Sequence, residues 1–152
     1  MNYVVYTDGS CLGNPGAGGW AAIVIDCETG EVLEFSGGEL HTTNNRMELT
    51  AAIVALNEIG VGKSVELFTD SQYLQNAFTK GWLANWKRRD WKTANKTPVL
   101  NQDLWLTLDE LMTSREVKFN WVRGHVGDHF NERCDQLARA QATKFKTTKK
   151  AR

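Results

Sequence analysis

No run of 18 apolar residues occurs in the 152-residue chain, which excludes a helical membrane span. Proline is scarce, two residues against thirteen glycines, and that balance excludes a collagen-like or proline-rich fibre. Cysteine is equally sparse. Cys11, Cys27 and Cys134 are odd in number and widely spaced, which fits neither a disulfide framework nor a zinc site. Reduced thiols of this kind point to a cytoplasmic protein. The opening Met1–Asp8 lacks a basic start and a long apolar core, so no secretory signal is read there. What remains is ordinary globular composition: 41% hydrophobic, 24% charged, mean hydropathy −0.42. The length fits one domain over 1–152, burying roughly 70% of its extended surface.

Net charge is also absent, but the zero hides a division. Residues 1–79 hold ten acids and two bases, a net −8, and residues 80–152 hold sixteen bases and eight acids, a net +8. Such asymmetry indicates polyanion binding. Within 80–96, Lys80, Lys87, Arg88, Arg89, Lys92 and Lys96 face only Asp90. The last nine residues add Lys144, Lys146, Lys149, Lys150 and Arg152.

No internal repeat or linker interrupts the chain. Asn2–Thr7 is a run of strand formers that stops at Asp8-Gly9-Ser10, a turn signal. The Gly-rich stretch 13–19 follows; it lacks Gly-Lys-Ser/Thr and leads into a strand, so it is no phosphate loop. It reads instead as a close backbone approach between strands. Trp20–Ile25 reads as a buried strand, Glu28-Thr29-Gly30 as a hairpin turn and Glu31–Phe35 as a third strand. Asn45–Leu56 is the strongest helix, with Met47, Ala51, Val54 and Ala55 at helical spacing. Val65–Thr69 is a strand, Ser71–Phe78 and Trp82–Arg89 are short helices, and Asp90–Thr97 is loop. Pro98 suits the first turn of a helix to about Thr113. Val117–Val122 is a strand, and Asn131 caps a last helix through about Phe145. The fold class is α/β: a five-stranded mixed sheet, with an antiparallel three-strand meander, two parallel strands and helices on both faces.

Four acids stand at element ends. Asp8 and Asp70 end the first and fourth strands; Glu48 and Asp135 lie in the first turns of the first and last long helices. Sites in open α/β sheets gather at strand carboxyl ends. Clustered carboxylates raise one another's pKa values, a penalty that divalent cations remove. All-oxygen ligands select Mg²⁺ or Mn²⁺ over zinc. Each acid also has a plain alternative: Asp8 in a turn, Glu48 in a capping box with Asn45, Asp70 as a helix cap, Asp135 paired with Arg139.

The motifs themselves decide among these. Tyr6-Thr7-Asp8-Gly9-Ser10 with Gly13-Asn14-Pro15-Gly16, then Thr42–Leu49, then Thr69-Asp70-Ser71-Gln72-Tyr73, then Trp121-Val122-x-Gly124-His125, then Asn131–Asp135 stand in this order. Together they resemble bacterial type 1 ribonucleases H over about residues 2–143. The segment from about 80 to 97, with Trp82, Trp86, Lys87, Arg88 and Trp91, resembles that family's basic protrusion.

The resemblance implies a ribonuclease H-like fold and an endonuclease for the RNA strand of RNA/DNA hybrids. Cleavage would use two Mg²⁺ ions, with Mn²⁺ as a substitute, and leave 5′-phosphate and 3′-hydroxyl ends without strong sequence specificity. Asp8, Glu48, Asp70 and Asp135 match the metal-holding catalytic carboxylates. Asp8 would bridge both ions, and His125 would assist proton transfer or product release. Cys11 in its turn, Asn14, Asn44 and Gln72 are expected at the RNA strand, with Glu48 on a 2′-OH, the group that distinguishes RNA. Thr43, Asn45, Trp82, Asn85 and Trp86 are expected at the DNA strand. Lys87, Arg88, Arg89 and Lys92 would meet phosphates. Trp82 and Trp86, four apart, also suit a helix core.

A monomer without a membrane or an obligatory protein partner is expected. The chain starts close to Asp8, so no preceding hybrid-binding module is expected. The basic tail, about 144–152, fits either added phosphate affinity or disorder. A transposase or junction resolvase of the same fold would need further DNA-binding domains. A non-catalytic hybrid-binding module would lack carboxylates.

Overall fold

In the computed structural model, residues 1–93, 95–122 and 129–150 are described, the last three by backbone alone. The elements run β1 (Tyr3–Leu12), β2 (Gly16–Asp26), β3 (Val32–Thr42), α1 (Asn44–Asn57), β4 (Ser64–Thr69), α2 (Gln72–Thr79), α3 (Trp82–Arg88), α4 (Gln102–Thr113), β5 (Glu116–Trp121) and α5 (His129–Lys150). Their order is the expected one. The sheet order is β3-β2-β1-β4-β5. β1–β2 and β2–β3 pair antiparallel, whereas β1–β4 and β4–β5 pair parallel.

Strand alternation divides the core into two layers. Val5, Ala22 and Val24 pack with Leu49, Ala52 and Leu56 of α1 and with Leu74, Trp105 and Leu108. Ala21 and Ile23 pack on the other face with Cys134 and Ala138 of α5. Among the described residues, no helix is long and apolar enough to cross a membrane.

Several boundaries differ from those the pattern predicts. β1 does not stop at Asp8; Asp8, Gly9 and Ser10 keep pairing with Ala21, Trp20 and Gly19. A long antiparallel partner overrides the local turn signal. Pro98 does not open α4. It forms an isolated bridge with Lys92, and α4 starts after Asn101, which takes a left-handed φ of 62°. α5 starts at His129 rather than after Asn131, and it runs on to Lys150. The glycine stretch serves strand-to-helix packing as well as strand pairing, because a Cβ on Gly19 would collide with the α5 backbone at Ala138 and Ala142.

Candidate active site

The β1–β4 ladder ends at the Tyr6–Phe68 pair. Beyond that row β1 continues along β2 alone, so a gap opens at the sheet end. Asp8 faces it two residues further along β1. Asp70 faces it from just after β4. Glu48 enters from α1, whose start packs tightly on β1 at Gly9. Asp135 enters from α5. These four acids, with Gly9, Asn44, Asn45, Ser71, Gln72 and Tyr73, line one cleft of about 370 Å³. One carboxylate oxygen each of Asp8, Glu48 and Asp70 lie within 4.8 Å of one another.

The plain alternatives for three acids are answered separately. Thr43, not Asn45, caps α1, its Oγ1 accepting from Arg46 N at 3.2 Å. Ser71, not Asp70, caps α2 through Leu74 N at 3.1 Å. Glu48 and Asp70 are therefore not needed as caps. Asp135 does pair with Arg139, at 3.1 Å, and still reaches the Asp8 carboxyl. That ion pair coexists with the cluster.

The electrostatics describe a site under tension. Asp8 is 5% exposed and Glu48 is 4% exposed. Burial, and then the neighbouring Asp70, push the Asp8 carboxyl up to about 8, although Gly9 N donates to its Oδ1 at 2.9 Å. Burial, followed by Asp8 and Asp70, raises Glu48 well above the usual carboxylate range. Asp8 Oδ2 and Glu48 Oε2 are buried and accept no hydrogen bond among the described residues. Buried, orphaned carboxylate oxygens are costly unless a cation occupies the space between them. All the donors are hard oxygens, so the residues fit Mg²⁺ or Mn²⁺.

The expected substrate residues are partly engaged with one another. Asn14 Oδ1 accepts from Asn44 N at 3.1 Å, tying the β1–β2 turn to the start of α1. Cys11 Sγ donates to Gly13 O at 2.7 Å. Gln72 Nε2 donates to Asn76 Oδ1 at 3.1 Å. On the protrusion, Arg88 donates to Asn85, and Lys87 Nζ pairs with Asp109 at 3.1 Å. Trp82 and Trp86 pack against the larger core layer; Trp86 meets Trp105 edge-on at 5.3 Å. Arg89 is exposed. His125 lies outside the described residues.

Sequence reasoning missed Tyr73 and its supports. Tyr73 lines the cleft, and its hydroxyl accepts from Asn101 at 3.2 Å and Trp105 at 2.9 Å. Arg46 donates to Asn101 at 3.2 Å and grips Asp103 with both terminal nitrogens. The signal for Tyr73 was its place inside the Thr69–Tyr73 motif. Nothing in the sequence pointed to a partner 28 residues away.

The mixed sheet, with an acidic cleft at the end of its parallel strands suited to a divalent cation, defines an α/β protein with a candidate metal site. Comparison with known proteins gives the family. A profile described as RNase H matches residues 1–143. A ribonuclease H of Nitratidesulfovibrio vulgaris strain DP4 is 58% identical over 146 residues, covering 95% of this chain and 91% of that protein. A ribonuclease HI of Pseudomonas aeruginosa is 54% identical over 135 residues, 89% of each chain. Among solved structures, LC9-RNase H1, described as a type 1 RNase H with the type 2 active-site motif, aligns at TM-score 0.80 and 32% identity, covering 93% of this chain and 72% of that one. The chain belongs to the RNase H family. It is a metal-dependent endoribonuclease acting on RNA in RNA/DNA hybrids.

Proposed function

We propose that the chain cleaves the RNA strand of hybrids at the Asp8–Glu48–Asp70–Asp135 cleft with two Mg²⁺ ions. Products carry 5′-phosphate and 3′-hydroxyl ends, sequence preference is weak, and the protein acts as a cytoplasmic monomer. The carrying observation is that one carboxylate oxygen each of Asp8, Glu48 and Asp70 lie within 4.8 Å of one another, beside Asp8 Oδ2 and Glu48 Oε2, which are buried and have no hydrogen-bond partner among the described residues. The bound ions supply charge stabilisation for attacking and leaving oxygens of an in-line displacement. Asp8, Glu48, Asp70 and Asp135 hold them. Glu48, which lines the cleft, and the hydrogen-bonded Asn14–Asn44 pair would read a 2′-OH of the RNA strand. His125 moves a proton or helps release product. A homologous fold supports hybrid binding: LC11-RNase H1 was solved in complex with RNA/DNA hybrid, at TM-score 0.68 and 22% identity.

The test is cleavage of a strand-labelled hybrid, with Mg²⁺ or chelator, beside RNA/RNA and DNA/DNA duplexes. Cutting of the hybrid's RNA strand alone, and only with metal, is expected. Cut DNA duplexes would instead favour a transposase-like enzyme. Tight hybrid binding without cutting would favour a binding module.

Lys87, Arg88 and Arg89 of the protrusion are proposed to meet DNA-strand phosphates. The ion pair with Asp109 is half-exposed, so it competes with a phosphate at little cost. Asp109→Asn is expected to tighten hybrid binding at low salt by roughly 2–5-fold, the size of an exposed ion pair. Neutralising Lys87 should reduce the slope of log affinity against log salt by about 1. Filter binding across a salt series reads both effects. An unchanged slope removes Lys87 from the interface.

A further inference from the structure

Three aromatic rings form one stack, carried by the elements that bring three of the carboxylates. Tyr6 and Phe68 are partners in the last row of the β1–β4 ladder, their rings 5.0 Å apart and 15° from parallel. Phe130, in the first turn of α5, lies on Tyr6 at 5.2 Å and 28°. His129 meets Phe130 edge-on at 5.2 Å. Tyr6 precedes Asp8 by two residues, Phe68 precedes Asp70 by two, and Phe130 precedes Asp135 by five. One strand repeat is two residues, so Tyr6 and Asp8 share a face of the sheet. Each element that brings a carboxylate from β1, β4 or α5 therefore contributes one ring to the same stack.

This placement coincides with a gap in backbone support. The ladder between β1 and β4 ends at the Tyr6–Phe68 row. Asp8 lies beyond that row and is repelled by Asp70. A cation site requires its ligands at a fixed separation before the ion arrives, and groups behind the ligands set that separation. The Tyr6–Phe68 ring contact ties β1 to β4 at that last row. Tyr6 stacks on both of the other rings, and Tyr6 and Phe130 pack on the smaller core layer, which includes Cys134, the neighbour of Asp135.

We propose that the Tyr6–Phe68–Phe130 stack positions the carboxylates: it fixes the spacing of Asp8, Asp70 and Asp135 and thereby sets the cleft's affinity for divalent cations. The inference rests on the cation-binding reading of that cleft. The three rings are positioning residues, not catalytic ones.

The test is Mn²⁺ binding to the full-length protein without substrate, followed by calorimetry. Phe68→Leu and Phe130→Leu keep apolar bulk and remove the ring. Each should weaken Mn²⁺ binding by roughly 10-fold, the lower end for residues supporting a ligand shell. Phe130→Tyr, which keeps the ring, should bind as the wild type does. Ile59→Val lies in the other core layer; it should lower the melting temperature and leave Mn²⁺ affinity unchanged. In cleavage assays the leucine variants should need more Mg²⁺ for half-maximal kcat, with KM for hybrid unaltered. Wild-type Mn²⁺ affinity in both leucine variants would overturn the proposal, as would an equal loss in Ile59→Val. Asp8→Asn separates the two ideas: if it binds Mn²⁺ like the wild type, the cation-binding reading itself fails, whatever the rings do.

Discussion

Asp8→Asn is expected to abolish cleavage while raising the melting temperature in chelator at pH 8. The loss follows from removing the carboxylate that touches both Asp70 and Asp135 electrostatically. Several kcal/mol of transition-state stabilisation depend on the held ions, so the rate should fall by at least about 10³-fold. The gain in stability follows from the same charge. Folding pushes the Asp8 carboxyl from 3.8 to about 8, so between those values the folded protein binds more protons than the unfolded chain. Metal-free stability therefore falls as pH rises through that window. Asparagine carries no charge and removes that slope. The variant and the wild type should match near pH 4 and diverge up to about pH 8, by ~2–4 kcal/mol. For a chain of this length that is a melting shift of roughly 5–15 °C. Thermal unfolding in chelator at several pH values reads it directly. A variant less stable than the wild type at pH 8 would mean that Asp8 serves the fold. Saturating Mg²⁺ should reverse the ranking, because only the wild type gains stability from the bound ion.

That double effect explains which parts of the site were legible in advance. The acids were visible because a cation site needs several hard oxygens, and the strand and helix starts that bring them together carry recognisable motifs. Element order was visible from periodicity and from Gly and Asn punctuation. The end of β1 was not. Asp8-Gly9-Ser10 has turn composition, and pairing with Ala21, Trp20 and Gly19 of the adjacent strand β2 keeps it extended. Pro98 misled for a related reason: its fixed φ suits a helix start, but a bridge to Lys92 claims it. The Asn101–Tyr73 and Arg46–Asp103 contacts were invisible because they join α1, α2 and the start of α4 through side chains. The tryptophans carried two meanings at once. Trp86 is packed against Trp105 in the core layer and stands on a basic helix, so packing and substrate contact were never exclusive alternatives.

Gly9→Ala should damage both stability and catalysis, although it adds one methyl group. Gly9 N donates to Asp8 on one side of the site, while its α-carbon faces the start of α1. A Cβ there would lie 2.6 Å from Glu48 N and 2.8 Å from the Met47 carbonyl carbon. Both are backbone atoms, so no side-chain rotation relieves the overlap. Either α1 moves away from β1 or the strand buckles, and each movement separates Glu48 from Asp8. Overpacking of this kind costs about 3 kcal/mol, at the upper end of the usual range. The melting temperature should then drop by roughly 6–12 °C. A displacement near 1 Å at a catalytic group costs on the order of 10²-fold in rate. Gly30→Ala is the matched control, since a Cβ there meets nothing within 4 Å and only its φ of +77° opposes the change. That variant should lose about 1 kcal/mol, typical of a strained left-handed position, and keep its kcat. If Gly9→Ala instead kept wild-type melting and cleavage, α1 would not be held against β1 at this contact, and the position of Glu48 would need another cause.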